Sequence, residues 1–275
     1  MANFGFLMRL TCSVFIVLIT PAKAWSGSFE QDFAIVFIDE KTEAKFGVIP
    51  LNRDVLANGV DAIVNAGAKG LVVKFFLDQS KEEKGDKRLA NSFSLIPTVL
   101  QARLDNTKNN PNPLADRFTL SFSFNVATAG SSGWIPLPLF ANNAADIGFV
   151  DFNSTLVPMV EQYQSHFVKS LVLCAIELAA KRKAVFYEGS QIQVGTHVIK
   201  LDSKNQATAR LISSQFTQSV SFNSVLDGTA NEKLKNKVVI LAYDGPHIDK
   251  FVTILGPMGA HRYFVHVLKS IYDSE

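Results

Sequence analysis

Cysteine is nearly missing from this chain. Cys12 and Cys174 are the only two in 275 residues, and Cys12 sits in an N-terminal apolar stretch. A disulfide framework is therefore excluded, and stability has to come from an apolar core. A basic surplus is missing too: 27 Lys and Arg face 25 Asp and Glu. Proteins that displace counterions from phosphates need a larger excess, so nucleic acid is excluded as a partner. Beyond the N-terminus no apolar run approaches the roughly 20 residues that span a bilayer. The best internal stretch, Phe167 to Ala180, is short and carries Lys169 and Glu177.

Signatures of common chemistries are also lacking. There is no G-x-S-x-G elbow, no S-x-x-K and no cysteine–histidine nucleophile motif. Gly67 and Gly70 lie between a helical and an extended stretch, the reverse of a phosphate-cradling turn, and a Walker lysine is absent. Of the five histidines, His261 and His266 diverge by roughly 140° on a helix and cannot chelate as an i, i+4 pair. The sequence predicts no cofactor, no resident metal and no enzymatic activity. Cys174 reads as core filler.

What is present begins with a leader. Met1 to Ala24 has Arg9, an apolar run from Leu10 to Ile19, Pro21, and a small-x-small Ala22-Lys23-Ala24. That pattern predicts a secretory signal cleaved before Trp25, and hence a periplasmic or otherwise extracytoplasmic protein. Arg9 and Lys23 are its only charges, so cleavage would take the net charge from +2 to zero. Residues 25–275 suit one large domain or two small ones.

Within that region the periodicity alternates. Phe33 to Ile38 is a continuous apolar run ending in Asp39 and Glu40, the pattern of a strand covered on both faces. Pro50 and Asn52 introduce a helix with Val55, Leu56, Val60, Ile63 and Val64 on one face and Gly67 just past its end. Gly70 to Leu77 is a second buried-type strand, completing a βαβ unit. Asp78 to Arg88 is charge-dense and reads as a solvated loop. Pro97 to Leu104, Phe118 to Asn125 and Ile147 to Phe152 look extended, Gln164 to Lys181 helical. Gln191 to Val194 and His197 to Leu201 flank the hairpin signal Gly195-Thr196, and Ala207 to Ile212 is extended. Lys237 to Ala242 is a central-type strand, followed by an amphipathic helix from about Ala260 to Ile271. The sequence thus predicts an α/β fold: a mixed, largely parallel sheet covered by helices, with an antiparallel hairpin insertion.

Ligands of open α/β sheets settle beyond the carboxyl ends of the strands. The groups expected there are Asp39, Glu40, Asp244, His247 and Asp249, with Arg53 and Lys74 as counter-charges. The competing account of Tyr243 to Asp249 is a turn whose carboxylates cap the backbone.

In order, these pieces resemble the second type of CHASE domain, a cyclase- and histidine-kinase-associated sensory extracellular module. Phe33 to Gly47 is similar to its opening strand and Ile-Asp-Glu turn, and Pro50 to Asp54 to its proline–arginine helix entry. Asn65 to Leu77 resembles its Gly-Ala-Lys bend and second strand. Trp134 to Phe152 resembles its Pro-Leu-Pro segment and Gly-Phe-Val strand. Lys237 to Leu241, Asp249 and Gly256 to His261 stand near its closing strand and its Asp, Gly and His positions. Lys74 stands where the family usually has an acid, and Asn153 to Val160 lacks the acidic-glycine-arginine turn. The resemblance implies a sensory module that binds a small molecule and, in stand-alone form, signals in trans through a membrane sensor kinase or cyclase. The alternatives are a cell-envelope assembly or interaction scaffold and, third, an exported hydrolase.

Overall fold

A computed structural model of the protein describes residues 27–152, 154–187, 190–211 and 219–274. The leader, Met1 to Ala24, lies outside the described residues, as does Ile212 at the end of the extended segment from Ala207.

Six strands form the central sheet: β1 (Phe33–Asp39), β2 (Gly70–Val73), β3 (Thr98–Ala102), β4 (Asp146–Phe149), β5 (Ser219–Ser221) and β6 (Val238–Asp244). Their order is β5-β1-β6-β2-β3-β4, and every pair is parallel. Parallel strands need crossovers, and five longer segments cover the sheet or its edges: α1 (Glu40–Phe46), α2 (Arg53–Asn65), α3 (Glu83–Ser94), α4 (Leu171–Ala180) and α5 (Ala260–Tyr272). The inner strands β1, β2 and β6 are apolar at almost every position because both faces are covered. Ala34, Val36, Ile38, Leu71, Val73, Val239 and Leu241 pack with α2 and α3. Phe33, Ile35, Phe37, Val72, Val238 and Ile240 pack with α4 and α5. Fully burying one such side chain is worth about 1.5–3 kcal/mol. The fold class read from the sequence is the one observed. The antiparallel pieces form separate small sheets, including the predicted hairpin Gln191–Val194 and His197–Lys200, in which Val194 pairs with His197.

The ends of α2 follow the sequence signals. Asn52 accepts a hydrogen bond from the Asp54 amide at 2.7 Å, and Gly67 takes the left-handed φ of +77° just past the last turn.

Several expectations need correction. The charged stretch Asp78 to Arg88 is not one solvated loop, because Glu83–Ser94 is helix α3. It buries Leu89, Ala90 and Phe93, and the charge of Asp86 is buried against Arg53 at 2.9 Å. Gln164 to Lys181 is not one helix. His166–Lys169 is a strand antiparallel to Val160–Tyr163, turning at Gln164 (φ +54°), and α4 begins only after Ser170. The Ser170 hydroxyl accepts from the Leu173 amide at 3.1 Å and caps α4, so the match of Phe167 to the helical period is accidental. β2 ends at Val73 rather than Leu77, and of Phe118 to Asn125 only Thr119–Leu120 is strand.

Candidate functional site

Parallel alignment brings all six carboxyl ends to one edge. The chain leaves β1, β2 and β3 toward the face covered by α2 and α3, and leaves β4 and β6 toward the face covered by α4 and α5. Strand β6, lying between β1 and β2, and β4, beside β3, therefore exit opposite to their neighbours. Such reversals open crevices at the carboxyl edge.

The groups named from the sequence share this edge but have separate tasks. Asp39 and Asp244 are register partners on β1 and β6. Asp39 caps α1, accepting from the Thr42 amide and hydroxyl at 2.9 and 2.7 Å and from Ser221 Oγ at 3.0 Å. Glu40 is exposed on the first turn of α1. Asp244 holds Arg262, whose Nε stands 2.7 Å from Oδ2 and whose guanidinium covers the Phe37 ring. His247 and Asp249 are exposed in the turn after β6, where the Asp249 carbonyl accepts from the Ala260 amide at 2.9 Å. Arg53 is committed elsewhere: it is buried at the start of α2, donating to Asp86 and to the Gln79 carbonyl.

Lys74 differs from all of these. It follows β2, is only 6% exposed, and lies over the Phe264 ring at 5.2 Å. Its Nζ donates to Gln101 Oε1 at 2.8 Å. That bond fixes the amide orientation of Gln101, which is 1% exposed, and leaves Gln101 Nε2 buried with no partner among the described residues. Burial lowers the Lys74 ammonium to a pKa of about 7, with Asp151 opposing.

Asp151 and His261 lie within electrostatic reach of Lys74, and Glu161 lies within reach of Asp151. Asp151, just beyond β4, accepts from the Leu104 amide, and Arg103 Nε stands 3.7 Å away. Burial raises its pKa to about 6 despite those contacts. Glu161 is raised to about 8, first by burial and then by the charge of Asp151, and its Oε2 is buried without a partner among the described residues. His261, in the first turn of α5, accepts the Tyr243 amide on Nδ1 at 3.0 Å, which leaves its proton on Nε2. Burial, then nearby Lys74, holds its imidazolium well below the usual range.

The cluster thus offers donors on Gln101, Lys74 and His261, an acceptor on Asp151, and on Glu161 a carboxyl that keeps its proton at neutral pH. That set can recognise a small polar molecule carrying both donor and acceptor groups. Among the described residues no group of three or more His, Cys, Asp or Glu is placed to hold a metal ion. A groove of about 990 Å³ runs along the far half of α5, lined by Lys200, Asp202, Arg210, Lys269 and Asp273 among others. None of the cluster residues lines it, and Lys269 and Asp273 there already pair at 2.8 Å.

Of the cluster, sequence reasoning nominated Lys74 alone. Gln101 carried a usable signal, as the one long polar side chain in the buried strand Thr98–Ala102. Asp151 sits similarly between Val150 and Phe152, His261 was marked only by its place near the closing His position of the resemblance, and Glu161 carries no local mark.

Among the described residues no helix is long and apolar enough to cross a membrane. No curated protein and no solved structure matches the sequence. The family model for the CHASE2 domain matches residues 3–272, a span that includes most of the stretch read as a leader. With essentially the whole length matched, the chain belongs to the CHASE2 domain family, whose members are sensory extracellular domains rather than catalytic ones.

Proposed function

We propose that this protein is an exported sensory domain. In this reading it binds a small polar ligand at the carboxyl edge and acts through a separate membrane signalling partner, a sensor kinase or cyclase. The observation that carries the reading is the buried Lys74–Gln101 pair with its unpartnered Nε2, set where strand exits reverse, in a chain of a sensory family. An unpaired buried donor costs about 1–3 kcal/mol, a deficit that a bound acceptor would cancel. Ligand binding would favour the conformation in which α5 closes over Lys74, so the signal would be a population shift and not a new fold.

The test is thermal unfolding of the full chain against a panel of amino acids, organic acids and small amines. A ligand specific to the native state raises Tm by linkage. One chemical class should do so for the wild type and fail for Lys74→Met. A flat response across the panel would count against the reading.

An interaction scaffold is supported by one observation. The hairpin Lys250–Thr253 and Gly256–Gly259 presents Val252 and Ile254 at 93% and 83% exposure. Replacing both with serine should leave Tm and ligand response unchanged if the sensory reading holds.

A further inference from the structure

The edge of the sheet opposite the polar cluster has a different chemistry. Strands enter there, and their approaches are basic. Lys69 precedes β2 and Lys237 precedes β6, and the Lys69 amide donates to the Lys237 carbonyl at 2.7 Å. The Asn236 amide donates to the Gly67 carbonyl at 2.9 Å, and Lys235 Cγ lies 3.7 Å from where a Cβ on Gly67 would stand. Helix α4 ends at the same place, with Lys181 in left-handed conformation followed by Arg182 and Lys183. Lys69, Lys181, Arg182 and Lys183 rim one depression of about 430 Å³ floored by Val99 and Cys174.

The carboxylates of this edge are mostly taken. Lys169 binds Asp146 at 2.5 Å and Glu177 at 2.7 Å, and Lys183 reaches both at 3.2 Å. Lys269 pairs with Glu30 and Asp273, and Asp32 accepts from the Tyr272 hydroxyl at 2.8 Å. Glu232 is an exposed acid in the helix Asn231–Leu234. Against it stand the exposed cations Lys69, Lys181, Arg182, Lys233 and Lys235, none with a carboxylate partner among the described residues. Cations after α4 also complement its dipole, which is a sufficient account of Lys181 to Lys183. It does not extend to Lys69, Lys233 or Lys235, which come from other segments.

Both ends of the described chain leave from this edge. The Phe29 amide donates to the Asp273 carboxylate at 2.8 Å, and Phe33 is the register partner of Val238 at the start of β6. The first described residues, from Gly27, therefore enter the fold beside the basic patch.

We propose that this edge is a membrane-facing surface that seats against anionic phospholipid headgroups. The cations are exposed, drawn from three separate segments and gathered where the described chain begins and ends. Each lysine or arginine near an anionic leaflet strengthens attachment roughly fivefold at moderate salt. Seated this way, the domain holds its carboxyl edge, with Lys74, Gln101 and the hairpin, away from the bilayer and open to solvent. The proposal concerns orientation and is independent of ligand identity.

Flotation of the full chain with phosphatidylcholine vesicles, with and without one-third phosphatidylglycerol, tests it. The wild type should favour the anionic vesicles, and added salt should weaken that preference. In Lys69→Glu/Lys181→Glu/Arg182→Glu/Lys235→Glu the anionic binding should fall by more than about tenfold. Binding to neutral vesicles, which does not draw on headgroup charge, should not change. Lys41→Glu/Lys250→Glu, on the opposite edge, should keep most of the anionic binding. Equal wild-type binding to the two vesicle types overturns the proposal without recourse to any variant. So does retained binding by the quadruple variant, or an equal loss in the opposite-edge variant.

Discussion

Glu161 and Asp86 are both carboxylates withdrawn from water, and their partners send them in opposite directions. The pKa of Glu161 is raised by burial and by neighbouring Asp151, to about 8. Between its usual value near 4.5 and 8 the folded state holds a proton that the unfolded state has released. Stability from this group is therefore full at low pH and is lost as pH rises through that window, by up to about 1.4 kcal/mol per pH unit. Glu161→Gln should be nearly neutral at pH 5 and stabilising at pH 8, which Tm measured across that range will show. A variant whose Tm falls in parallel with the wild type would refute this account of Glu161. Asp86 is held below its usual range by Ser80, the Lys81 amide and Arg53, against burial, the largest single influence. Its Oδ2 accepts from Ser80 Oγ at 2.7 Å and from the Lys81 amide at 2.8 Å. Asp86→Ala strands the Arg53 charge and should cost about 3–5 kcal/mol in urea unfolding. The double variant Arg53→Met/Asp86→Leu should recover much of that loss.

At the scale of elements, α3 shows where sequence reading stops. Its buried residues are Gly85, Asp86, Leu89, Ala90, Ser92 and Phe93, and only Leu89, Ala90 and Phe93 of them are apolar. An ion pair buried with Arg53 replaced the hydrophobic stripe that would have revealed a helix. In β1, β2 and β6, by contrast, the buried positions are almost all apolar, so these strands and the parallel sheet were legible. The same holds for α2 with its Asn52 cap and for the hairpin at Gly195. The polar cluster was legible only at Lys74, because its members come from β2, β3, the segment after β4, a small antiparallel sheet and α5. Only topology collects them. Gly85 gives a test at this scale. Glycine to alanine in a helix ordinarily gains about 1 kcal/mol, but a Cβ here would lie 2.9 Å from Arg53 Cβ. Crowding between two backbones should win, so Gly85→Ala should destabilise by about 1–3 kcal/mol in chemical denaturation. A stabilised variant would mean that α2 and α3 are less tightly apposed.

For the whole molecule, the parallel sheet sorts charge by direction. Strand entries gather exposed lysines and both described chain ends. Strand exits gather buried groups that hold protons near neutral pH. Under the two proposals, attachment and recognition are separated by the length of the strands. Amide hydrogen exchange on the full chain, with and without the small molecule that raises Tm, tests that separation most directly. The account predicts added protection around Lys74, from Gln101 to Leu104, around Asp151, and from Tyr243 through the first turn of α5. Protection confined instead to the groove along the far half of α5, or to the Lys69 and Lys181 edge, would contradict it.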